Sequence, residues 1–233
     1  MLAVDELFSL PGGGKSTAVS ATADIPRLLT RHQVTAAWQR CSRFQKARTV
    51  ALALMRLRRI VPAARLAFAA SLLERESLTR LVRLLIRAEW LRAQSGHALF
   101  DQGLLQGVWS ILLASGRTDV DPALLSPLLR SLCAGMEVHI LHIDVSPAEA
   151  ARRIAGRPNG HSRLDGRPAA EIQRVLEGAS RLPHSILAAA RLAGLQVTRI
   201  DGRMPPRALA ARIRELVKAD LSSRPRETSN QLS

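Results

Sequence analysis

Hydrophobic residues recur along this chain in two rhythms: short unbroken apolar runs, and longer stretches in which Leu, Val and Ile return at helical spacing. Three apolar runs stand out: residues 97–101 (His97-Ala98-Leu99-Phe100-Asp101), 138–145 and 195–201. Each is followed by a helical pattern, which predicts buried parallel strands, because a strand covered on both faces is apolar throughout. A fourth run, Leu7 and Phe8, leads into a glycine-rich loop. Asp5 and Glu6 stand where such a strand favours Val or Ile. That predicts either a very short strand or one whose natural beginning lies outside this chain.

The helical rhythm is densest between residues 27 and 92, where Leu78, Leu81, Val82, Leu85 and Ile86 mark one face, and two to four helices are predicted there. Further helices are predicted over residues 103–115, from the cap Ser146-Pro147 through Ile154, over 169–193 with a break at Pro183, and from Pro205-Pro206 to about residue 219. Strands alternating with helices predict an α/β, three-layer fold with a mostly parallel central sheet. It forms a single domain over residues 1–220, with residues 27–95 as a helical, basic insert, 156–168 as a polar loop and 221–233 as a disordered tail.

Composition narrows the class. In 233 residues, 47% are hydrophobic, enough for a sizeable core and too many for a disordered chain. The formal charge of +15 comes from 34 Lys plus Arg against 19 acids, and Arg outnumbers Lys 31 to 3, so part of it reflects a general preference for Arg. Residues 27–92 carry 15 of the basic residues and 3 acids, and Arg80, Arg83 and Arg87 there read as a solvated helix face, with an acceptor-phosphate pocket or a nucleic-acid surface as the alternative. Cys41 and Cys133 fit neither a disulfide scaffold nor a zinc site. Residues 1–10 lack the basic and apolar regions of a secretory signal. Residues 102–116 are charge-free but fall short of the roughly 18 to 20 needed to span a bilayer. A cytoplasmic protein is expected. His139 and His142 fall on opposite strand faces, which predicts packed histidines and no shared metal.

The chemistry is concentrated in Pro11-Gly12-Gly13-Gly14-Lys15-Ser16-Thr17. Consecutive backbone N–H groups in such a loop cradle the phosphates of a nucleotide, with Lys15 reaching the β and γ phosphates and the Ser16 hydroxyl ligating Mg²⁺. The full pattern places Gly where this chain has Ser9, so the match is incomplete. Asp101, ending an adjacent strand, is placed to hold Mg²⁺ or to accept a proton from an attacking hydroxyl, and also to cap the next helix. Arg153 and Arg157 share a helix face one turn apart, and Arg163 follows in the polar loop. Phosphoryl transfer needs cations on the migrating charge without bulk water, which a closing, arginine-bearing lid supplies.

Asp144-Val145-Ser146-Pro147, Arg153, Arg157 and Ser162-Arg163-Leu164-Asp165, with the loop, residues 97–103 and Val197-Thr198-Arg199-Ile200-Asp201-Gly202, resemble the thymidylate kinase branch of P-loop nucleoside and nucleotide kinases. The resemblance covers both ends and the centre of the chain and leaves residues 21–94 unmatched. It implies a three-layer P-loop kinase fold with a five-stranded parallel sheet, dependence on ATP and Mg²⁺, Arg153 near the phosphates, Arg157 and Arg163 as lid cations, and Asp165 as the lid acid. Family members follow the strand-end Asp with an Arg that grips the acceptor's phosphate. Here Gln102 stands in that place. The expected function is transfer of the ATP γ-phosphoryl to a small-molecule acceptor, a nucleoside or nucleotide among them. The expected partner is that acceptor, with nucleic acid disfavoured and no membrane; the sequence leaves a homodimer open. The alternative is an NTP-binding regulatory or assembly protein that keeps the fold with little acceptor chemistry, and a nucleic-acid-binding ATPase ranks third.

Overall fold

A computed structural model of the chain describes residues 1–22, 25, 28–156, 164 and 166–223. The first half runs β1 (Leu2–Phe8), α1 (Lys15–Ser20), β2 (Leu28–Thr30), α2 (Arg31–Arg40), α3 (Arg43–Met55), α4 (Leu57–Ala69) and α5 (Arg75–Arg92). The second half runs β3 (Gly96–Phe100), α6 (Leu104–Ala114), α7 (Pro122–Cys133), β4 (Glu137–Asp144), α8 (Pro147–Ala155), α9 (Ala169–Gly178), α10 (Arg181–Leu192), β5 (Gln196–Asp201) and α11 (Pro206–Ser223). The five strands form one sheet in the order β2-β3-β1-β4-β5, every neighbouring pair parallel.

Alternation along the strands divides the core into two layers. Val4, Phe8, Ala98, Phe100 and Ile140 face α5, α6, α7 and α10, while Leu7, Leu99, Leu141 and Ile200 face α1 and α11. The fold is therefore an α/β parallel sheet flanked by helices, as the alternating pattern predicted.

The central strand departs from expectation. β1 is seven residues long and buried throughout, so Asp5 and Glu6 did not shorten it. Each acid has a partner set on its own face. Asp5 Oδ2 lies 2.6 Å from His97 Nε2 on β3, and Asp5 Oδ1 lies 3.2 Å from His139 Nδ1 on β4. His139 Nε2 is in turn 2.8 Å from Thr198 Oγ1 on β5. Glu6, on the other face, accepts backbone N–H bonds from Leu104 (2.7 Å), Leu105 (3.1 Å) and Gln106 (2.8 Å), the first turn of α6.

Burial pushes the Asp5 carboxyl up, but hydrogen bonds from His139 and His97 and their charge outweigh it and hold the group below the ordinary value. A carboxyl depressed on folding stabilises the protein above its unfolded pKa of about 4, and that contribution fades as pH falls through the folded value. Wild type and Asp5→Asn should therefore differ most in melting temperature near neutrality, and the difference should shrink as pH falls below the unfolded value of about 4. Circular dichroism melts across that range test this, and parallel curves would refute it.

Other elements differ from the sequence reading in instructive ways. Residues 27–92 do form four helices, preceded by the unpredicted edge strand β2, which pairs with β3. The inner face of α5 is Leu81, Leu84, Leu85, Ala88 and Leu91, leaving Leu78 and Val82 outside. The stretch from 169 to 193 breaks at Ala179-Ser180. Pro183 sits inside the first turn of α10, where a missing N–H removes no helical bond. α7 was not predicted; Asp121 caps it, accepting from Ala123 N at 2.9 Å. α11 continues to Ser223, so residues 221–223 are helical and residues 224–233 of the expected tail lie outside the described residues. His142 packs near Phe8 at 6.1 Å between ring centroids, and burial lowers its pKa to about 4. No helix among the described residues is long and apolar enough to cross a membrane.

Candidate functional site

Parallel strands deliver their C-terminal ends to one edge of the sheet, and the crevice there is where open α/β sheets bind ligands. β1 ends at Phe8, and residues 9–14 turn back into α1 at that edge. Gly12 and Gly14 have φ of 85° and 87°, the left-handed region that a side chain disfavours. Gly12 is fixed a second way: a Cβ there would lie 2.5 Å from the carbonyl oxygen of Ala150, so the backbone of α8 closes directly onto the loop.

Lys15 folds back over this turn. Its Nζ donates to Ser9 O (2.9 Å), Ser9 Oγ (2.9 Å) and Leu10 O (3.1 Å). Ser9, the departure from the full glycine pattern, thus contributes two of those three oxygens. Ser16 follows, and its hydroxyl donates to Asp101 Oδ2 at 3.4 Å. Ser16 and Thr17 are exposed in the first turn of α1, where backbone N–H groups have no intrahelical acceptor.

Asp101 is held in place from beneath. It follows β3 immediately, and Gly103 then opens α6 directly above the Glu6 carboxylate. A Cβ on Gly103 would stand 2.2 Å from Glu6 Oε2, so this turn requires Gly. Complete burial pushes the Glu6 carboxyl up, against the downward pull of the three backbone donors and of Arg87. Glu6 therefore ties the strand that carries the loop to the turn that carries Asp101.

Two arginines converge here: Arg31, which the sequence did not single out, and Arg87, which it placed on a solvated face. Arg31, the first residue of α2, places Nη1 4.0 Å from Asp101 Oδ1. The Arg87 guanidinium lies 5.4 Å from the centre of the Phe100 ring. Burial lowers its pKa, with Glu6 and Asp101 pulling up and Arg31 pulling down. Arg87 is half-buried, not part of a solvated face. The signal was its register: it shares a helical stripe with Leu84 and Leu91, both buried.

No family model and no curated protein matches this chain.

Of the three arginines expected around the phosphates, the described residues include Arg153. Arg153 donates through Nε to Glu149 Oε1 (2.7 Å) and through Nη2 to the Gly202 carbonyl (2.8 Å), joining α8 to the turn after β5. Arg157, Arg163, His161 and Asp165 lie outside the described residues. A second acid-histidine group, Asp5, His97 and Asp220, brings its donor atoms within 4.8 Å of one another beneath α11. It sits at mid-strand on β1 and not at the loop edge.

Chemically, the loop edge offers an ammonium group and first-turn backbone N–H groups of a kind suited to anionic oxygens. Beside them, Ser16 Oγ and Asp101 Oδ2 are hard oxygen donors close enough to share one small divalent cation of the Mg²⁺ type.

Proposed function

We propose that this chain is a P-loop kinase that transfers the γ-phosphoryl of ATP to a small-molecule acceptor, with residues 156–168 as its arginine-bearing lid. The observation that carries the reading is the pairing of Ser16 Oγ with Asp101 Oδ2 at 3.4 Å beside the Lys15 loop. Residues remote in sequence thereby supply the two oxygens that P-loop phosphoryl transfer needs around its metal. Mg²⁺ held there would neutralise charge on the phosphate oxygens.

In this reading Lys15 exchanges its contacts with Ser9 and Leu10 for phosphate oxygens. The acceptor hydroxyl attacks the γ phosphorus, its proton passes to Asp101 or to water, and the bond to the bridging β–γ oxygen breaks to leave ADP. Arg153, Arg157 and Arg163 stabilise the transferring charge. Arg31 and Arg87 supply the cationic grip that Gln102 does not, which favours an acceptor carrying a negative charge of its own.

The test is a screen of nucleosides, nucleoside monophosphates and other small anionic acceptors with γ-labelled ATP and Mg²⁺. Label should move to at least one acceptor, and Ser16→Ala should raise the Mg²⁺ needed for half-maximal transfer about tenfold. Nucleotide binding with no transfer to any acceptor would instead support the regulatory reading.

A further inference from the structure

α3, α4 and the start of α5 carry an apolar surface that the fold leaves uncovered. Among the described residues, eleven large hydrophobic side chains are exposed, and eight of them lie between Phe44 and Val82. Phe44 is 79% exposed, Phe68 77%, Met55 76% and Leu73 60%. α4 shows how this arises. Its inner stripe, Ala63, Leu66, Ala67 and, just past its end, Ala70, is buried, while Val61, Arg65 and Phe68 form an outer stripe in solvent. Past the end of α4, Leu73, Leu78 and Val82 line a shallow groove of about 560 Å³ rimmed by Arg75 and Arg83.

Basic side chains lie among these residues: Arg48, Arg65, Arg75 and Arg83 are exposed. We infer that this face docks peripherally on an anionic phospholipid surface, its apolar side chains entering the headgroup region and its arginines meeting lipid phosphates. A second copy of the chain fits poorly, since it would bring the same positive charge. Nucleic acid would answer the charge but offers little to Met55, Leu73 and Val82. The apolar groups are also spread over three successive helices, which suits an extended, deformable surface better than a single peptide. No helix among the described residues is long and apolar enough to insert across the bilayer in this arrangement. It departs from the expectation of no membrane contact because exposure, unlike hydrophobicity, is not written locally in the sequence. The inference is independent of the kinase reading, and its test uses no nucleotide.

The experiment is co-flotation of the full chain with vesicles of phosphatidylcholine alone or mixed with phosphatidylserine. Binding is expected to the mixed vesicles, to weaken in high salt, and to be at least about tenfold poorer on phosphatidylcholine alone. Phe68→Ser with Leu73→Ser should reduce it about tenfold, and Arg65→Glu or Arg75→Glu about fivefold each, all with unchanged circular dichroism. These positions are exposed, so folding is not at stake. A wild-type chain that stays unbound on mixed vesicles at low salt overturns the inference. So does binding that survives the Ser and Glu substitutions, a duplex-DNA affinity that vesicles cannot compete, or a dimer that Phe68→Ser dissociates.

Discussion

Replacing Lys15 with Ala is expected to reduce phosphoryl transfer from ATP about 10²- to 10³-fold, the usual effect of removing one charge-stabilising donor from a transition state. It should do so with little loss of stability. Lys15 is only half-buried, and its three acceptors, Ser9 O, Ser9 Oγ and Leu10 O, line a loop at the sheet edge where water can replace the ammonium. The signature is therefore a fall in kcat and in ATP affinity alongside a melting temperature close to wild type. Lys15→Arg should rescue poorly, because a planar guanidinium does not reproduce a point charge folded over so tight a turn. Transfer by Lys15→Ala at the wild-type rate would remove the loop from the reaction.

Glu6→Ala is expected to be the most destabilising single change in the site region. It deletes the acceptor of three buried backbone N–H groups at the start of α6 and removes a carboxylate whose charge supports Arg87. Unsatisfied buried donors cost about 1 to 3 kcal/mol each, so a loss of about 4 kcal/mol is a moderate expectation. For a chain of this length that lowers the melting temperature by about 8 to 16 °C. Gly103→Ala should have a comparable effect from the other side, since its Cβ would overlap the same carboxylate. A thermal melt of Glu6→Ala within about 1 °C of wild type would show that α6 finds other acceptors.

The loop was legible in the sequence because its requirements are local. Left-handed backbone at Gly12 and Gly14 calls for Gly, and Lys15 and Ser16 follow without a gap. Asp101 was legible for a similar reason, as the acid ending an apolar run. Asp5 and Glu6 were misjudged because what permits them is remote: His97, His139 and the first turn of α6 reach β1 only through the tertiary fold. β2, at three residues, is too short to show a period. Arg31 was missed because nothing near it in the chain marks the approach of Asp101, and Arg87 was assigned to the solvated face although its register beside Leu84 and Leu91 places it against the core. α7 is a different case, since Asp121 followed by Pro122 is a local helix start that went unread.

Ser9 gives the loop contacts of its own. Where the general pattern has Gly, the hydroxyl and carbonyl of Ser9 both accept from the Lys15 ammonium. On the proposed kinase reading, Ser9 would compete with phosphate oxygens for the Lys15 ammonium. A small anion with one or two oxygens would displace that competitor for a modest return. A polyphosphate would bring oxygens to Lys15 and to the surrounding N–H groups at once, and the residue that breaks the pattern would then act as a filter on ligand size.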